Sequence, residues 1–220
     1  MFNFFKRKHK DESLEEQKAD VSKYPEQLSK QCLEGLDCDQ ILNAKGSFGQ
    51  EVTNPIPVNG PLGEIKYVGR LGTKKKGIGY IFHRLGSITM ATLQGPVDVF
   101  EVVSTDGKEW DVLYIHMYHP RRSTKVPEGY RFNDFDELLS RLPIGYGTWD
   151  LDHDFPFNIG RFIERDYDIF GTGIMNKRLA KHYEEIIKDR EKFVRPETHK
   201  AKIAIVRPQL NATAYFQVKI

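Results

Sequence analysis

The sequence predicts an α+β fold, with a mostly antiparallel sheet built on hairpins and packed by two or three helices. The clearest signal is a pair of β-rich runs, residues 97–104 and 109–118, joined by Thr105-Asp106-Gly107-Lys108. An Asp-Gly pair between such runs favours a tight hairpin turn. Consecutive antiparallel strands of this kind favour the α+β class over a doubly wound parallel sheet.

Length and composition are those of a folded domain. Hydrophobic residues make up 39% of the 220 positions, which is enough to build a core. We expect a mobile charged arm over 1–23 and a single α+β domain over 24–220. Within that domain the helical part covers 24–45, and the sheet with its helices covers 62–220.

Charge and cysteine content restrict the partners and the compartment. Lys and Arg total 33 against 31 Asp and Glu, so the net charge of +2 gives no global argument for a nucleic-acid or membrane partner. Two cysteines, Cys32 and Cys38, do not form a disulfide framework, which indicates the reducing cytoplasm. The longest stretch without a charge, 85–97, is too short and too polar to span a bilayer, and MFNFFKRKHK does not fit a signal peptide.

The first predicted element is an amphipathic helix over 25–42. Leu28, Cys32 and Leu36 recur at helical spacing, so Cys32 is interpreted as a small buried hydrophobe rather than a nucleophile. The turn-rich stretch 46–63 follows and is the best boundary between this helical part and the sheet.

Strands are predicted where β-rich residues cluster, at 64–71, 79–85, 97–104, 109–118, 201–207 and 212–219. Both faces of the fourth are largely apolar, so it is predicted to be a central strand covered on both sides.

Two further helices are predicted in the second half of the chain. Residues 132–142 form the short one, and the long one begins near Gly173 and runs to about Phe193. The intervening segment 143–173 shows no period. An irregular segment of this length is usually functional or disordered, and its many aromatics argue against disorder.

The first candidate site follows the predicted central strand and consists of His119, Arg121, Arg122 and Ser123. Two arginines and a serine can bind a phosphate or carboxylate through charge-assisted hydrogen bonds, with His119 as an acid–base group. The alternative is that the arginines are solvated or pair with the acidic residues of 150–154.

A metal site at His116 and His119 is not favoured by their spacing. Residues three apart on a regular strand point to opposite faces, so only a bulge or an early strand end brings both onto one ion. His116 is therefore expected to be a packed or hydrogen-bonded histidine, and His119 the freer of the two.

The second candidate site lies in the irregular segment and consists of Asp150, Asp152, His153 and Asp154. Alternating carboxylates with a histidine suit acid–base work or a divalent cation, the one cofactor this pattern allows. A helix–loop–helix calcium loop is excluded because Phe155 and Arg161 stand where Gly and Glu are needed. A solvated acidic turn is the alternative.

Two weaker signals are Gly171-Thr172-Gly173 before the long helix and Lys74-Lys75-Lys76 between two glycines. An ordinary helix entry and a solvated loop are the better interpretations. The chain contains no Gly-x-Ser-x-Gly, His-Glu-x-x-His or Cys-x-x-Cys motif, which disfavours common hydrolase, zinc-protease and thiol-redox classes without excluding an enzyme.

Two function classes fit these observations. We expect a non-catalytic binding or interaction protein whose contact surface comprises 119–125 and 143–173, since aromatics, arginines and glycines are typical of such surfaces. The alternative is a small hydrolase- or transferase-like enzyme for an anionic or phosphorylated substrate. An enzyme requires both candidate sites to line one concave pocket, whereas a binding protein allows them to spread over a face.

Overall fold

The computed structural model describes residues 35, 39–133, 154–160 and 173–211. Its elements in chain order are β1 (Ile56–Pro57), α1 (Gly60–Gly69), β2 (Leu71–Thr73), β3 (Tyr80–Thr89), β4 (Pro96–Ser104), β5 (Trp110–His116), β6 (Tyr130–Phe132), α2 (Gly173–Ile186) and α3 (Glu197–Val206). Short 3₁₀ turns follow α2 and α3, at Arg190–Phe193 and Arg207–Gln209. The predicted α+β class is confirmed.

The main sheet has the strand order β1-β5-β4-β3, and the predicted hairpin lies at its centre. β1 runs parallel to β5, whereas β4 is antiparallel to both β5 and β3. β2 and β6 form a separate antiparallel pair. β5 is therefore a central strand, as predicted, and Ile115 on it is fully buried.

The β4–β5 turn shows why Asp-Gly stands at this position. Ser104 Oγ donates to Asp106 Oδ1 at 2.7 Å, and Gly107 has φ of 76°, a conformation that glycine adopts without strain. The backbone carbonyl of Lys192 also approaches Gly107 so closely that a side chain there would collide. The turn thus serves both the hairpin and the packing of the 3₁₀ turn after α2.

Helices cover both faces of the main sheet. Val99 and Phe100 are successive residues of β4 and point to opposite faces. Phe100 belongs to the cluster that contains Ile65 of α1, and Val99 to the cluster that contains Ile203 of α3. The sheet is therefore buried on both sides, as its apolar pattern predicts.

Two strand predictions are wrong. Residues 64–71 are mostly helical, in α1, because Pro61 pre-organises a first helical turn and outweighs the β-branched residues that follow. Residues 201–207 lie in α3 and the turn after it. His199, Ile203 and Val206 are buried at helical spacing, so packing overrides the β propensity of this run.

Other predictions differ in their boundaries. The strand at 79–85 extends to Thr89, and the strand at 109–118 ends at His116. The long helix ends at Ile186, and residues 39–42 form bends and turns instead of helix. Phe132 belongs to β6 and not to a helix.

Several predicted segments lie partly or wholly outside the described residues. These are the arm at 1–23, most of the 25–42 helix with both cysteines, the rest of the 132–142 helix and the 212–219 strand. β1 enters the sheet inside the turn-rich stretch, ahead of residue 62.

Candidate functional site

A buried carboxylate, Glu101 of β4, organises the polar centre of the structure. It is 1% exposed and accepts hydrogen bonds from three side chains. His83 Nε2 lies 2.7 Å away on neighbouring β3, and His199 Nε2 of α3 lies at 2.9 Å. Arg195 donates twice, from Nε at 2.7 Å and from a terminal nitrogen at 3.0 Å.

The partners of Glu101 determine its charge state. Burial alone would raise the pKa of this carboxyl, but hydrogen bonds from His199, His83 and Arg195 outweigh burial and hold the pKa well below its usual range. The ionised form is therefore the one the fold stabilises. A buried charge with such partners is strongly destabilising when one partner is removed.

Aromatic rings enclose this network. The guanidinium of Arg195 lies 5.4 Å from the ring centroid of Trp110, close enough for a cation–π contact. The rings of His199 and Trp110 are also 5.4 Å apart, and Phe155 packs 4.1 Å from His83. Glu101 and Trp110 together fasten residues 195–199 to the sheet.

A wide-open cleft of about 440 Å³ lies beside this network, between α3 and the β4–β5 hairpin. Its lining includes Tyr80, Trp110, Asp111, Tyr130, His199 and Lys202. His199 belongs to both features, so the buried network fixes one wall of the cleft.

Asp111 is the carboxylate that connects the polar side chains of the cleft. It accepts hydrogen bonds from Gln50 at 2.8 Å, Lys202 at 2.7 Å and the Tyr130 hydroxyl at 3.0 Å. Burial would raise the pKa of Asp111, but the charge of Lys202 and the hydrogen bonds from Lys202 and Gln50 lower it. Asp111 is thereby held as a paired carboxylate.

The two tyrosines of the cleft keep their protons. Burial raises the pKa of Tyr80 well above its ordinary value, and the hydrogen bond to Glu109 at 2.9 Å adds to this effect. Burial also raises the pKa of Tyr130, with the charge of Asp111 as the next cause. Both hydroxyls act as donors to carboxylates.

His119 of the first predicted site pairs with His116. β5 ends early, at His116, and this places His116 Nδ1 2.7 Å from His119 Nε2. His116 Nε2 lies 2.9 Å from the Gln94 carbonyl oxygen, which can only accept, so Nε2 carries the proton. His116 Nδ1 then accepts from the His119 Nε2–H.

Of the remaining residues of the first predicted site, Ser123 lies against the chain at Asp39. Ser123 is 1% exposed, and its hydroxyl donates to the Asp39 carbonyl oxygen at 2.9 Å. Arg122 is 5% exposed, and Arg121 is half-buried. A role for Arg121, Arg122 and Ser123 in anion binding stays a prediction.

The second predicted site is described only at Asp154, which is exposed. Asp150, Asp152 and His153 lie outside the described residues. Within the described ranges, no three His, Cys, Asp or Glu side chains are placed to share a metal ion. Neither Asp154 nor the described residues of the first site line the cleft, so the structure brings together a different set of side chains.

Sequence reasoning missed this set, which consists of Glu101, Asp111, His199 and Lys202. One signal was present: Glu101 stands between Phe100 and Val102 in a mostly apolar strand, where a charge must find a partner. Of the partners of Glu101, Arg195 precedes α3 and His199 lies within it, and a strand was predicted over the second part of that helix, at 201–207.

The comparisons with known proteins add no relative. No family model, no curated protein and no solved structure matches this chain. Among the helices of the described ranges, none has the length and apolar character needed to cross a membrane.

Substitution of Glu101 by Gln tests the buried network. The amide keeps the size of the side chain but removes the charge that Arg195 faces. We expect a loss of about 3 kcal/mol in the free energy of unfolding, at the lower end for a buried pair because Arg195 is partly exposed. The measurement is urea denaturation followed by circular dichroism.

The matched control is Glu197→Gln, which removes an exposed carboxylate that pairs with Lys200 at 2.6 Å. This control should leave the urea midpoint unchanged, since exposed pairs contribute little. Equal midpoints for both variants would contradict a stabilising role for Glu101.

The histidine pair predicts a loss of stability in acid. Burial lowers the pKa of His119 to about 4, with His116 as the second cause, against 6.5 ordinarily. Between these values the unfolded chain binds more protons, so stability falls as the pH drops from about 6.5 to about 4. His119→Gln should reduce the difference in Tm between neutral and acidic pH, whereas His182→Gln, at an exposed position, should not. An NMR titration midpoint for His119 at or above 6.5 would refute this assignment.

Proposed function

We propose that the protein is a non-catalytic binding protein whose cleft between α3 and the β4–β5 hairpin takes a segment of a polypeptide partner. The observation that carries this proposal is the internal pairing of the cleft's polar groups. Asp111 is bonded to Lys202, and Tyr80 is bonded to Glu109. His199 is bonded to Glu101 behind the cleft wall.

The protonation behaviour of the cleft supports recognition rather than proton transfer. An efficient acid–base catalyst has a pKa near the working pH. The pKa of Asp111 is lowered, and those of Tyr80 and Tyr130 are raised, so all three are displaced away from neutrality. A surface of fixed charges and hydrogen-bond donors suits a preformed binding site.

The rim of the cleft supports a polypeptide partner. Thr198 and Lys202 line the cleft, and Ala201 and Ile205 follow on the same side of α3 at helical spacing. Ile205 is 67% exposed, and Ala201 is also exposed. An apolar rim at Ala201 and Ile205, on the helix that borders a cleft lined by Trp110, is typical of protein contact surfaces.

This proposal keeps the expected function class and moves the contact surface. The sequence places that surface at 119–125 and 143–173, and most of the second segment lies outside the described residues. The reducing cytoplasm stays the proposed compartment, on the argument from cysteine content.

A small enzyme for an anionic or phosphorylated substrate is the second candidate, favoured by one observation. His199 borders the cleft while its Nε2 is held by the buried Glu101, as in dyads where a carboxylate orients a catalytic histidine. In that case Lys202 and Lys108, which also line the cleft, would hold the anion.

Peptide selection tests the binding proposal. A displayed library of random peptides is selected against the full chain, and the enriched peptides are measured by fluorescence polarisation. Ile205→Asp should weaken these peptides at least about tenfold because it places a charge in the apolar rim. Leu42→Asp is the matched control, since Leu42 is 87% exposed and outside the cleft.

The outcomes separate the two candidates. Peptides that bind wild type and Ile205→Asp equally, or a selection that enriches none, would overturn the peptide site. Turnover of chromogenic phosphate esters that is lost in His199→Asn, while circular dichroism shows the variant folded at the assay temperature, would favour the enzyme.

A further inference from the structure

The fold gathers exposed cations from three separate parts of the sequence into one basic patch. The patch consists of Lys74, Lys75, Lys76, Lys108 and Arg131, all of them exposed. The sequence shows only the three consecutive lysines as a group. Lys108 and Arg131 join them through the folding of the chain.

Arg131 lies directly against the lysine turn. β2 and β6 pair with Arg131 opposite Gly72, just before the lysines. A side-chain carbon built on Gly77, just after them, would lie 2.7 Å from an Arg131 guanidinium nitrogen. The Lys74 N–H also donates to the Gly129 carbonyl oxygen at 2.8 Å, which ties the turn to the residues before β6.

The lysine turn lies beside the β4–β5 turn, since Thr105 N donates to the Gly79 carbonyl oxygen at 2.9 Å. Burial opposes ionisation of Asp106, but a hydrogen bond from Ser104 and the charges of Lys108 and Lys76 lower its pKa overall. Both lysines are therefore close enough to act on one carboxylate. The five cations outnumber the carboxylates nearest to them in sequence, which are Asp106, Glu109 and Glu128, so the patch keeps a net positive charge.

The lysine turn is held in a defined conformation. Gly77 N donates to the Thr73 carbonyl oxygen at 2.7 Å, and Ile78 N donates to Thr73 Oγ1 at 3.2 Å. In the part of the chain that the structure describes, Lys74, Lys75 and Lys76 form no ion pair within 4 Å. The three lysine side chains are therefore exposed to solvent on a turn whose backbone is held in place.

We infer that the basic patch binds nucleic acid through its phosphates, independently of base sequence. Several cations on a fixed surface release counterions from a phosphate chain, which drives such binding. A membrane surface would call for apolar side chains beside the cations. The large exposed hydrophobics of the described ranges are Leu42, Tyr118, Val194 and Ile205, and none belongs to the patch.

This inference goes beyond the proposed peptide site because it concerns another surface. Of the patch residues, only Lys108 also lines the cleft. The two proposals are therefore tested with different variants, and each can fail while the other stands.

Fluorescence anisotropy with a labelled single-stranded RNA, repeated at several KCl concentrations, tests the patch. Five phosphate contacts give a slope of log affinity against log salt of about −3.5. The triple variant Lys74→Gln, Lys75→Gln, Lys76→Gln should reduce this slope to about −1.4 and weaken binding at about 50 mM KCl by at least tenfold. Circular dichroism checks that the variant is folded.

The matched control removes three exposed lysines elsewhere, at Lys181, Lys188 and Lys200, with the same change in net charge. This control should keep the wild-type slope. An equal loss in the control, or no binding of RNA or duplex DNA at low salt, would overturn the inference. Binding to phosphatidylserine vesicles or polyglutamate that exceeds binding to RNA would also overturn it.

Discussion

The carboxylate of Glu101, buried between Phe100 and Val102 of β4, is the constraint on which the rest of the structure depends. A charge at 1% exposure is tolerated only when hydrogen-bond donors replace the water it has lost. His83 supplies one donor from the neighbouring strand, but Arg195 and His199 must come from a distant part of the chain. The site therefore requires residues 195–199 to dock on the sheet.

The cleft follows from this docking. Once His199 is fixed at Glu101, the next turn of α3 brings Lys202 to Asp111, and Asp111 in turn holds Gln50 and Tyr130. The charges of Asp111 and Lys202 are therefore paired with each other inside the protein. A partner would therefore contact a rigid rim and polar groups in fixed positions, and this is the physical basis of the proposed binding function.

The parts of the fold that local chemistry determines were predictable, and the parts that distant contacts determine were not. Asp106-Gly107 specifies its turn through its own backbone and side chain, so the hairpin could be predicted directly from the sequence. The α3 segment has β-branched residues that favour a strand, and only packing of Ile203 and Val206 makes it a helix. Two partners of Glu101, Arg195 and His199, lie 94 and 98 positions away, so no local pattern connects them to it.

Hydrogen exchange of the Glu101→Gln variant, read by mass spectrometry, tests the central claim most directly. If Glu101 holds α3 on the sheet, backbone amides of 195–206 should lose more protection in the variant than those of β4 and β5, which lose only the amount set by the lower global stability. Unchanged protection across 195–206 would contradict the account, because α3 would then be held by its apolar contacts alone.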